Sequence, residues 1–460
     1  MTENARADEF LEVSIAELHQ AYLSGRVSPV DITRATLARI QADNRFGAFV
    51  ATDAETASAA AERSATRFEN GAHRGLLDGV PMSVKDIIAV DGMQWEAGSA
   101  VLRGHRATED APVVRQLRQA GAVIVGKTAL DEFALTTTGP VRNPVDESLT
   151  AGGSSCGSAV AVRRGLSFAD IATDTGGSVR IPAHCCQVAG LKPTRSLLPL
   201  DGVVPLAHTL DHVGILARHA ADTAIVLDAL VPGIDLIADE GLPRPEQITI
   251  GVPTNLRFFG HHAEARFQES VAALEHAGMR RVDVELPDLD RVAEIHSVVL
   301  LSEMTSYHGM RFGSEEARYG PGLHDFLWNA ETDQTRRRYL QAQSQRAQIT
   351  RDIDAQLSGC DVLVLPTLLV DIPGATQYEI DLDGAPTFAT TAMVRLTSLF
   401  NHTGHPALVV SPNKLSTTDF RGVQLVGAPF ADVFLTQVGR LCEVVLERDG
   451  RLLHAHAEDS

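Results

Sequence analysis

Two serines and one lysine lie in the segments of this sequence that are best suited to chemistry. Ser178 follows two glycines, Ser154 follows two glycines, and Lys85 ends a short apolar run. A serine hydroxyl can attack a carbonyl carbon when a base removes its proton. Successive N–H groups of a glycine-rich turn can converge on the oxyanion that this attack creates. The three segments together predict a serine nucleophile that acts on a carbonyl compound.

Each of the three residues also has a structural interpretation. Ser154 or Ser155 could simply cap the helix that the sequence predicts up to Arg164. Lys85 could pair with Asp86 at the surface. A lysine serves as a base near neutral pH only if burial lowers its pKa from about 10.4, and a three-unit shift costs about 4 kcal/mol. Taken singly, none of the three residues identifies a catalytic site.

Cysteines and histidines offer competing sites. Cys185 and Cys186 are adjacent, and Cys156 lies two residues after a candidate serine. Their spacing is not that of a zinc site, so packing roles are favoured. Asp211 and His212 could belong to a Ser-His-Asp triad. The sequence predicts no Gly-x-Ser-x-Gly turn between a strand and a helix, which disfavours that triad.

Alternating strands and helices must position the candidate residues. An N-terminal helical segment is predicted over about residues 10 to 70, because Ser14 and Ser28 each begin a capping pattern. A strand is predicted to end at Lys85, followed by a helix and then a buried strand near residues 122 to 125. Further strands are predicted at Ile248 to Val252, Val362 to Leu365, Ala407 to Val410 and Val423 to Val426. This alternation is typical of α/β architecture.

Composition places the 460-residue chain among ordinary globular proteins, with 44% apolar and 22% charged residues. A net charge of −19 argues against direct contact with nucleic acid. No apolar stretch is long enough to cross a membrane, and the N-terminus lacks the pattern of a signal peptide. Five sparse cysteines do not indicate a disulfide framework. A cytoplasmic location is expected.

The order of these segments resembles the amidase signature family. The resemblance covers about residues 10 to 450 and is strongest between 75 and 220. The segments that carry it are Gly79–Asp86, Gly152–Ser158, Asp174–Ala183, Gly190–Thr194, Val203–Leu206, Leu210–Gly214, Phe400–Ala407 and Gly422–Gly427.

The resemblance implies a fold. It predicts a mixed, mostly parallel β-sheet covered by helices on both faces. We expect one domain over residues 1–460, with a signature core at about 75–220 and a variable substrate region at about 295–400. The stretch from Pro232 to Pro245, rich in Pro, Gly and Asp, is interpreted as a connection within that domain.

The resemblance also implies roles for individual residues. Ser178 corresponds to the nucleophile, Ser154 to a bridging serine that follows a cis peptide bond, and Lys85 to the base. Ser155 is expected to support this site. The resemblance also implies an oxyanion hole formed by the backbone N–H groups of Thr175, Gly176, Gly177 and Ser178. It implies that the side chains of Asp174 and Arg180 support this loop.

The implied activity is hydrolysis of the carbon–nitrogen bond of a small carboxamide or acylamide, through an acyl-Ser178 intermediate and without a metal or organic cofactor. Two alternatives stay open. The chain could be a subunit of an amidotransferase complex that amidates glutamyl-tRNA, or an inactive binding protein. For the protein as a whole, the expected partners are a small-molecule amide substrate and either a second copy of the chain or a small accessory subunit. Cys156, which stands where the family usually has glycine, could narrow the site beside Ser154.

Overall fold

Eleven β-strands form one sheet and two form a separate hairpin in the computed structural model, which describes residues 7–135, 141–231, 242–329, 336–412 and 420–458. The strands of the sheet are β1 (Phe49–Thr52), β2 (Pro81–Lys85), β3 (Val123–Thr128), β4 (Ala169–Asp174), β5 (Ala189–Lys192), β6 (His212–Ala217), β7 (Thr249–Pro253), β8 (Arg280–Val284), β9 (Val362–Pro366), β12 (Ala407–Val410) and β13 (Val423–Val426). The hairpin consists of β10 (Glu379–Leu382) and β11 (Ala385–Phe388).

The sheet is mixed, with strand order β1-β3-β2-β4-β6-β5-β12-β13-β9-β7-β8. Parallel ladders join β3, β2 and β4 into one block and β9, β7 and β8 into another. The strands between these blocks, and β1 at the edge, pair in antiparallel ladders. The predicted α/β class, with a mixed sheet between helices, is confirmed.

Helices connect most of these strands. Their bounds are α1 (Ile15–Leu23), α2 (Pro29–Ala42), α3 (Ala54–Glu69), α4 (Pro112–Gln119), α5 (Cys156–Arg163), α6 (Arg180–Cys185), α7 (Ala220–Leu230), α8 (His261–His276), α9 (Leu289–Phe312), α10 (Pro321–His324), α11 (Arg336–Leu357), α12 (Ala389–Thr403) and α13 (Asp432–Glu458). The predicted capping boxes at Ser14 and Ser28 form and begin α1 and α2. No helix in the described part of the chain combines the length and the apolar character that crossing a membrane requires.

Helices cover both faces of the sheet. Side chains of successive strand residues point to opposite faces. Ile171 and Leu408 pack in one apolar cluster with buried side chains of α7 and α13. Their sequence neighbours Ala172 and Val409 pack in another, with α3 and α5. Most of the predicted connection after Pro232 lies outside the described residues.

The parallel block β3-β2-β4 positions the candidate residues. Lys85 is the last residue of β2 and pairs in register with Thr128, the last residue of β3. Asp174 is the last residue of β4. The carboxyl ends of parallel strands meet at one edge of a sheet, which is where open α/β folds place their sites. The segment that contains Ser178 therefore leaves the sheet beside the end of the strand that carries Lys85.

Candidate active site

Lys85 is fully buried at the end of β2 and contacts the first candidate serine directly. Its Nζ lies 2.9 Å from Ser154 Oγ and 3.0 Å from Thr173 Oγ1. Among the described residues no carboxylate lies within ion-pair distance of this amine. The lysine is thus held by two hydroxyl groups, and the interpretation of Lys85 as a surface partner of Asp86 is wrong.

Burial gives Lys85 the electrostatics of a base. Desolvation lowers its pKa from 10.5 to about 8, although the negative charges of Asp131, Asp170 and Asp174 oppose the shift. A neutral amine has a lone pair that can accept a proton, and a pKa near the working pH suits general-base catalysis. Near pH 8, about half of the Lys85 side chains are in this form.

Ser154 lies at a bend that requires glycine at position 152 and that one backbone hydrogen bond holds in place. The peptide bond between Gly153 and Ser154 is cis, as the resemblance implies. Gly152 before it has φ of +70°, and a Cβ there would lie 3.0 Å from the backbone Cα of Pro182. A larger residue would therefore be strained by the positive φ and would press against the backbone of α6. The Asp131 N–H donates to the Ser154 carbonyl at 3.4 Å.

Ser155 links the bend to the second candidate serine. Its N–H donates to the Ser178 carbonyl at 3.2 Å, and its hydroxyl donates to the Thr173 carbonyl at 3.3 Å. Among the described residues no hydrogen bond joins the Ser154 and Ser178 side chains directly. Nucleophile–base contacts are often looser in an empty site than in a complex. Ser155 thus holds the two segments side by side, instead of acting as a side-chain helix cap.

The loop from Thr175 to Ser178 has unused backbone donors. None of its four N–H groups donates to a protein acceptor among the described residues. Three of its carbonyl groups accept hydrogen bonds: that of Gly176 from Thr397 Oγ1 at 2.5 Å, that of Gly177 from Ile181 N–H at 2.7 Å, and that of Ser178 from Ser155 N–H. The loop can therefore offer N–H groups to an oxygen that approaches Ser178, which is itself nearly buried.

A buried ion pair holds the base of this loop. Arg180 Nη2 lies 2.8 Å from Asp174 Oδ1, and Arg180 Nε donates to Oδ2 at 3.0 Å. Arg180 also donates to Gln424 Oε1 at 2.7 Å and to Asn401 Oδ1 at 2.7 Å. Burial alone would raise the pKa of Asp174, but Arg180 and Asn401 hold it well below its usual range. The carboxylate is charged, and it also accepts the Val179 N–H.

Replacing Arg180 by methionine is expected to lower the free energy of unfolding by about 3 to 5 kcal/mol, because Asp174 would keep a buried charge without its partner. Urea denaturation followed by circular dichroism measures this. Arg337→Met, the same change at an exposed position, should alter the free energy by less than about 0.5 kcal/mol. A loss below about 1 kcal/mol for Arg180→Met would show that the pair does not hold the loop.

Three contacting residues were missed by the sequence analysis. Thr173 holds Lys85, whereas Thr397 and Asn401 reach from α12 to Gly176 and to Asp174. Asn401 donates to the carbonyl and to the carboxylate of Asp174, at 2.9 and 2.8 Å. The segment around Asn401 does belong to the resemblance, which was the available signal. Nothing local in the sequence marks Thr173 or Thr397.

Cys156 fits beside the site without disturbing it. Its side chain is buried in the cluster between α5 and the sheet, with Sγ 3.9 Å from the Ala129 carbonyl oxygen. Burial raises the pKa of this thiol well above its ordinary value, so it is not a ready nucleophile. The contact between Lys85 and Ser154 persists next to it. Burial likewise raises the thiol pKa of Cys185 and Cys186.

The alternative Ser-His-Asp triad does not form. Asp211 accepts hydrogen bonds from Thr175 Oγ1 and from the amides of Leu206 and Ala207. His212 Nδ1 lies 2.7 Å from the Leu210 carbonyl oxygen. No serine hydroxyl bonds to this histidine among the described residues. Both side chains instead stabilise the segment before β6.

Five large side chains in and near the variable region belong to the main apolar core or pack against it: Phe133, Met304, Tyr307, Phe326 and Trp328. Phe133 and Met304 are fully buried, and the Phe133 ring lies 4.6 Å from the ring of His308. Partly buried Tyr307, Phe326 and Trp328 pack against the same core. Core packing therefore explains these residues.

Known proteins resemble the chain in both sequence and fold. A family model described as Amidase matches residues 31–435. One subunit of the glutamyl-tRNA(Gln) amidotransferase of Anaeromyxobacter sp. (strain K) is 34% identical over 95% of this chain and 97% of its own length. A crystal structure of an amidase superposes with a TM-score of 0.85 at 30% identity, covering 94% of this chain and 99% of that one. The peptide amidase of Stenotrophomonas maltophilia superposes with a TM-score of 0.77 at 27% identity, covering 96% and 97%.

Proposed function

The chain belongs to the amidase family, and from this premise we propose that it cleaves the carbon–nitrogen bond of a carboxamide through an acyl-Ser178 intermediate. One observation supports the proposal above the others. Buried Lys85 is hydrogen-bonded to the Ser154 hydroxyl at 2.9 Å, and the next residue, Ser155, donates its N–H to the Ser178 carbonyl. In this arrangement Lys85 is the base, Ser154 the bridge and Ser178 the nucleophile, and the loop beside them has free N–H groups.

The reaction proceeds by proton relay. Neutral Lys85 takes the Ser154 proton as Ser154 takes that of Ser178, and Ser178 Oγ attacks the amide carbon. The N–H groups of Thr175, Gly176, Gly177 and Ser178 stabilise the oxyanion. The relay returns the proton to the leaving nitrogen as the carbon–nitrogen bond breaks. Water then attacks the acyl-serine and releases the acid.

We further propose that the chain works as the amide-cleaving subunit of an amidotransferase-type complex. Support comes from the relatives, because the curated protein of Anaeromyxobacter belongs to such an enzyme and aligns over nearly the full length of both chains. The interpretation preferred from the sequence, a free hydrolase of small amides, becomes the second candidate. The similarity to a peptide amidase favours that candidate.

The composition indicates how the work would be divided in such a complex. A net charge of −19 is unsuited to the phosphates of tRNA, so a partner protein would hold the RNA. All five cysteines are free, which suits a reducing compartment, and we propose that the protein acts in the cytoplasm.

Comparing the chain produced alone with the chain co-purified from its own cells distinguishes the two candidates. If it is one component of a complex, we expect a partner to co-purify and to raise glutaminase or asparaginase turnover by at least about 10-fold, because a site that a partner pre-organises binds its substrate at a lower entropic cost. The measurement is ammonia release, with aliphatic, aryl and urea-type amides in parallel. Full activity of the isolated chain on one of those amides, with no co-purifying partner, would establish the free amidase instead.

A further inference from the structure

A cleft of about 800 Å³ has a lining that does not include the candidate serines. The connection between β5 and β6, the middle of α11 and His402 at the end of α12 form its walls. Neither Ser154 nor Ser178 contributes to the lining. The cleft is therefore separate from the residues to which the proposed reaction assigns a role.

Two guanidinium groups line this cleft without a carboxylate partner. Arg195 donates to the backbone carbonyls of Asn401 and His402. Arg346, which is 6% exposed, donates to Thr209 Oγ1 at 2.6 Å and to the Thr209 carbonyl at 2.9 Å. Neither arginine forms an ion pair within the described part of the chain. Buried charges are normally paired, so two unpaired cations in one cleft call for an anion.

The two cations also repel each other. Burial, together with the nearby Arg346 charge, lowers the pKa of Arg195 to about 10. The Arg195 Nε is buried and has no hydrogen-bond partner among the described residues. A ligand with negative charge between the two groups would relieve the repulsion and could use this donor.

The two acidic groups closest to the arginines along the hydrogen-bond network, Asp211 and Glu303, are already engaged by neutral donors. Asp211 accepts from Thr175 Oγ1 and from backbone amides, and burial raises its pKa to about 6. Glu303, just outside the lining, accepts from Thr209 N–H and from Tyr339 Oη, both at 2.8 Å. It forms no ion pair with Arg346 and reaches it through the Thr209 hydroxyl and through Tyr339 and Gln343, although its charge favours the charged form of both arginines. Asp201 is exposed at the rim. None of these carboxylates forms an ion pair with either guanidinium group within the described part of the chain.

His212 adds a hydrogen-bond acceptor to the cleft, whereas the two arginines are donors. Its Nδ1 lies 2.7 Å from the Leu210 carbonyl, and a carbonyl oxygen only accepts, so Nδ1 carries the hydrogen. Burial keeps the pKa of His212 well below its ordinary value, and the ring is neutral. Its Nε2 is then a buried acceptor, and it has no partner among the described residues. A hydroxyl or amine donor would satisfy it.

We propose that this cleft is a binding site for a small anion whose carboxylate or phosphate group lies between Arg195 and Arg346. A ligand that also carries a hydroxyl or amine group would bind best, because His212 Nε2 accepts its hydrogen. The site goes beyond the proposed amide cleavage and does not depend on it. Asp211 lines the cleft and accepts a hydrogen bond from Thr175 Oγ1 at 2.6 Å. Only this side chain therefore separates a bound anion from the loop from Thr175 to Ser178.

Titration calorimetry with inorganic phosphate and with malonate, at constant ionic strength, tests the site in the full chain. Ala347 lines the cleft and is exposed, so Ala347→Glu adds a negative charge without removing a side-chain hydrogen bond. We expect Ala347→Glu to weaken binding at least about 10-fold and Ala347→Gln, its neutral match, to change it less than about 3-fold. Arg195→Gln should also weaken binding about 10-fold.

The comparison of the two anions separates a phosphate site from a carboxylate site, and either result supports the proposal. Failure of both anions to bind the wild-type chain at about 10 mM would overturn it. Equal binding by wild type, Ala347→Glu and Arg195→Gln would also overturn it, by showing an adventitious surface contact. Circular dichroism of each unliganded variant guards against confusing lost binding with lost folding.

Discussion

Replacing Ser178 by alanine is expected to lower amide turnover by about 10⁴-fold or more while the fold is retained. Without this hydroxyl no acyl-enzyme can form, and the loop donors alone leave only weak catalysis. The substrate need not be known for a first measurement. A fluorophosphonate probe reacts with an activated serine, so intact mass should show one adduct on the wild-type chain and none on Ser178→Ala.

A second buried serine provides the matched control for this change. Ser270 is buried and bonds the backbone carbonyls of Arg266 and Arg421. Ser270→Ala should keep labelling and turnover within about 2-fold, because it removes a hydroxyl that is also buried but has no contact with Lys85, Ser154 or Ser178. Unchanged turnover in Ser178→Ala, or an adduct on it, would remove Ser178 from the mechanism and favour an inactive protein or a different nucleophile.

Replacing Lys85 by methionine is expected to lower the rate of probe labelling by about 10² to 10⁴-fold, the usual contribution of a general base. Methionine has a similar length and lacks the amine, so the buried space stays filled while the hydrogen bond to Ser154 is lost. The labelling rate at pH 8 is the measurement, with circular dichroism as the check on folding. A rate equal to that of the wild type would exclude Lys85 as the base.

The pH dependence provides an independent test of Lys85. Its pKa is lowered from 10.5 to about 8 by burial, and the neutral amine is the active form. The labelling rate should therefore rise with pH, by about 50-fold between pH 6 and pH 8, and level off above. The Lys85→Met variant should lack this rise. A wild-type rate that falls steadily from pH 6 to pH 9, with the fold retained, would contradict the assignment.

The segments that contain Lys85, Ser154 and Ser178 could be recognised from the sequence because each is defined by its own neighbouring residues. Glycines before Ser154 and before Ser178 define open turns wherever the segments fold. The apolar runs at Ala407–Val410 and Val423–Val426 become strands with those bounds. Their length and composition alone favour strands. The α/β class follows from the same alternation.

The neighbours of these segments could not be predicted in the same way. Lys85 could equally have been a surface residue, and its burial and its contact with Ser154 depend on how β2, β4 and the loop before α5 pack together. Asn401 is 227 residues away from Asp174, the carboxylate it bonds. Periodicity carries no information about contacts over such a separation.

The sequence by itself determined which groups are available: a lysine after an apolar run, two serines beside glycines, and the order in which they occur. The tertiary structure alone decided their chemistry, because desolvation lowers the Lys85 pKa only once the chain has closed around it. The same is true of Arg195 and Arg346, which are ordinary cations in the sequence. They become candidates for an anion site because folding brings both to one cleft and leaves each, among the described residues, without a carboxylate.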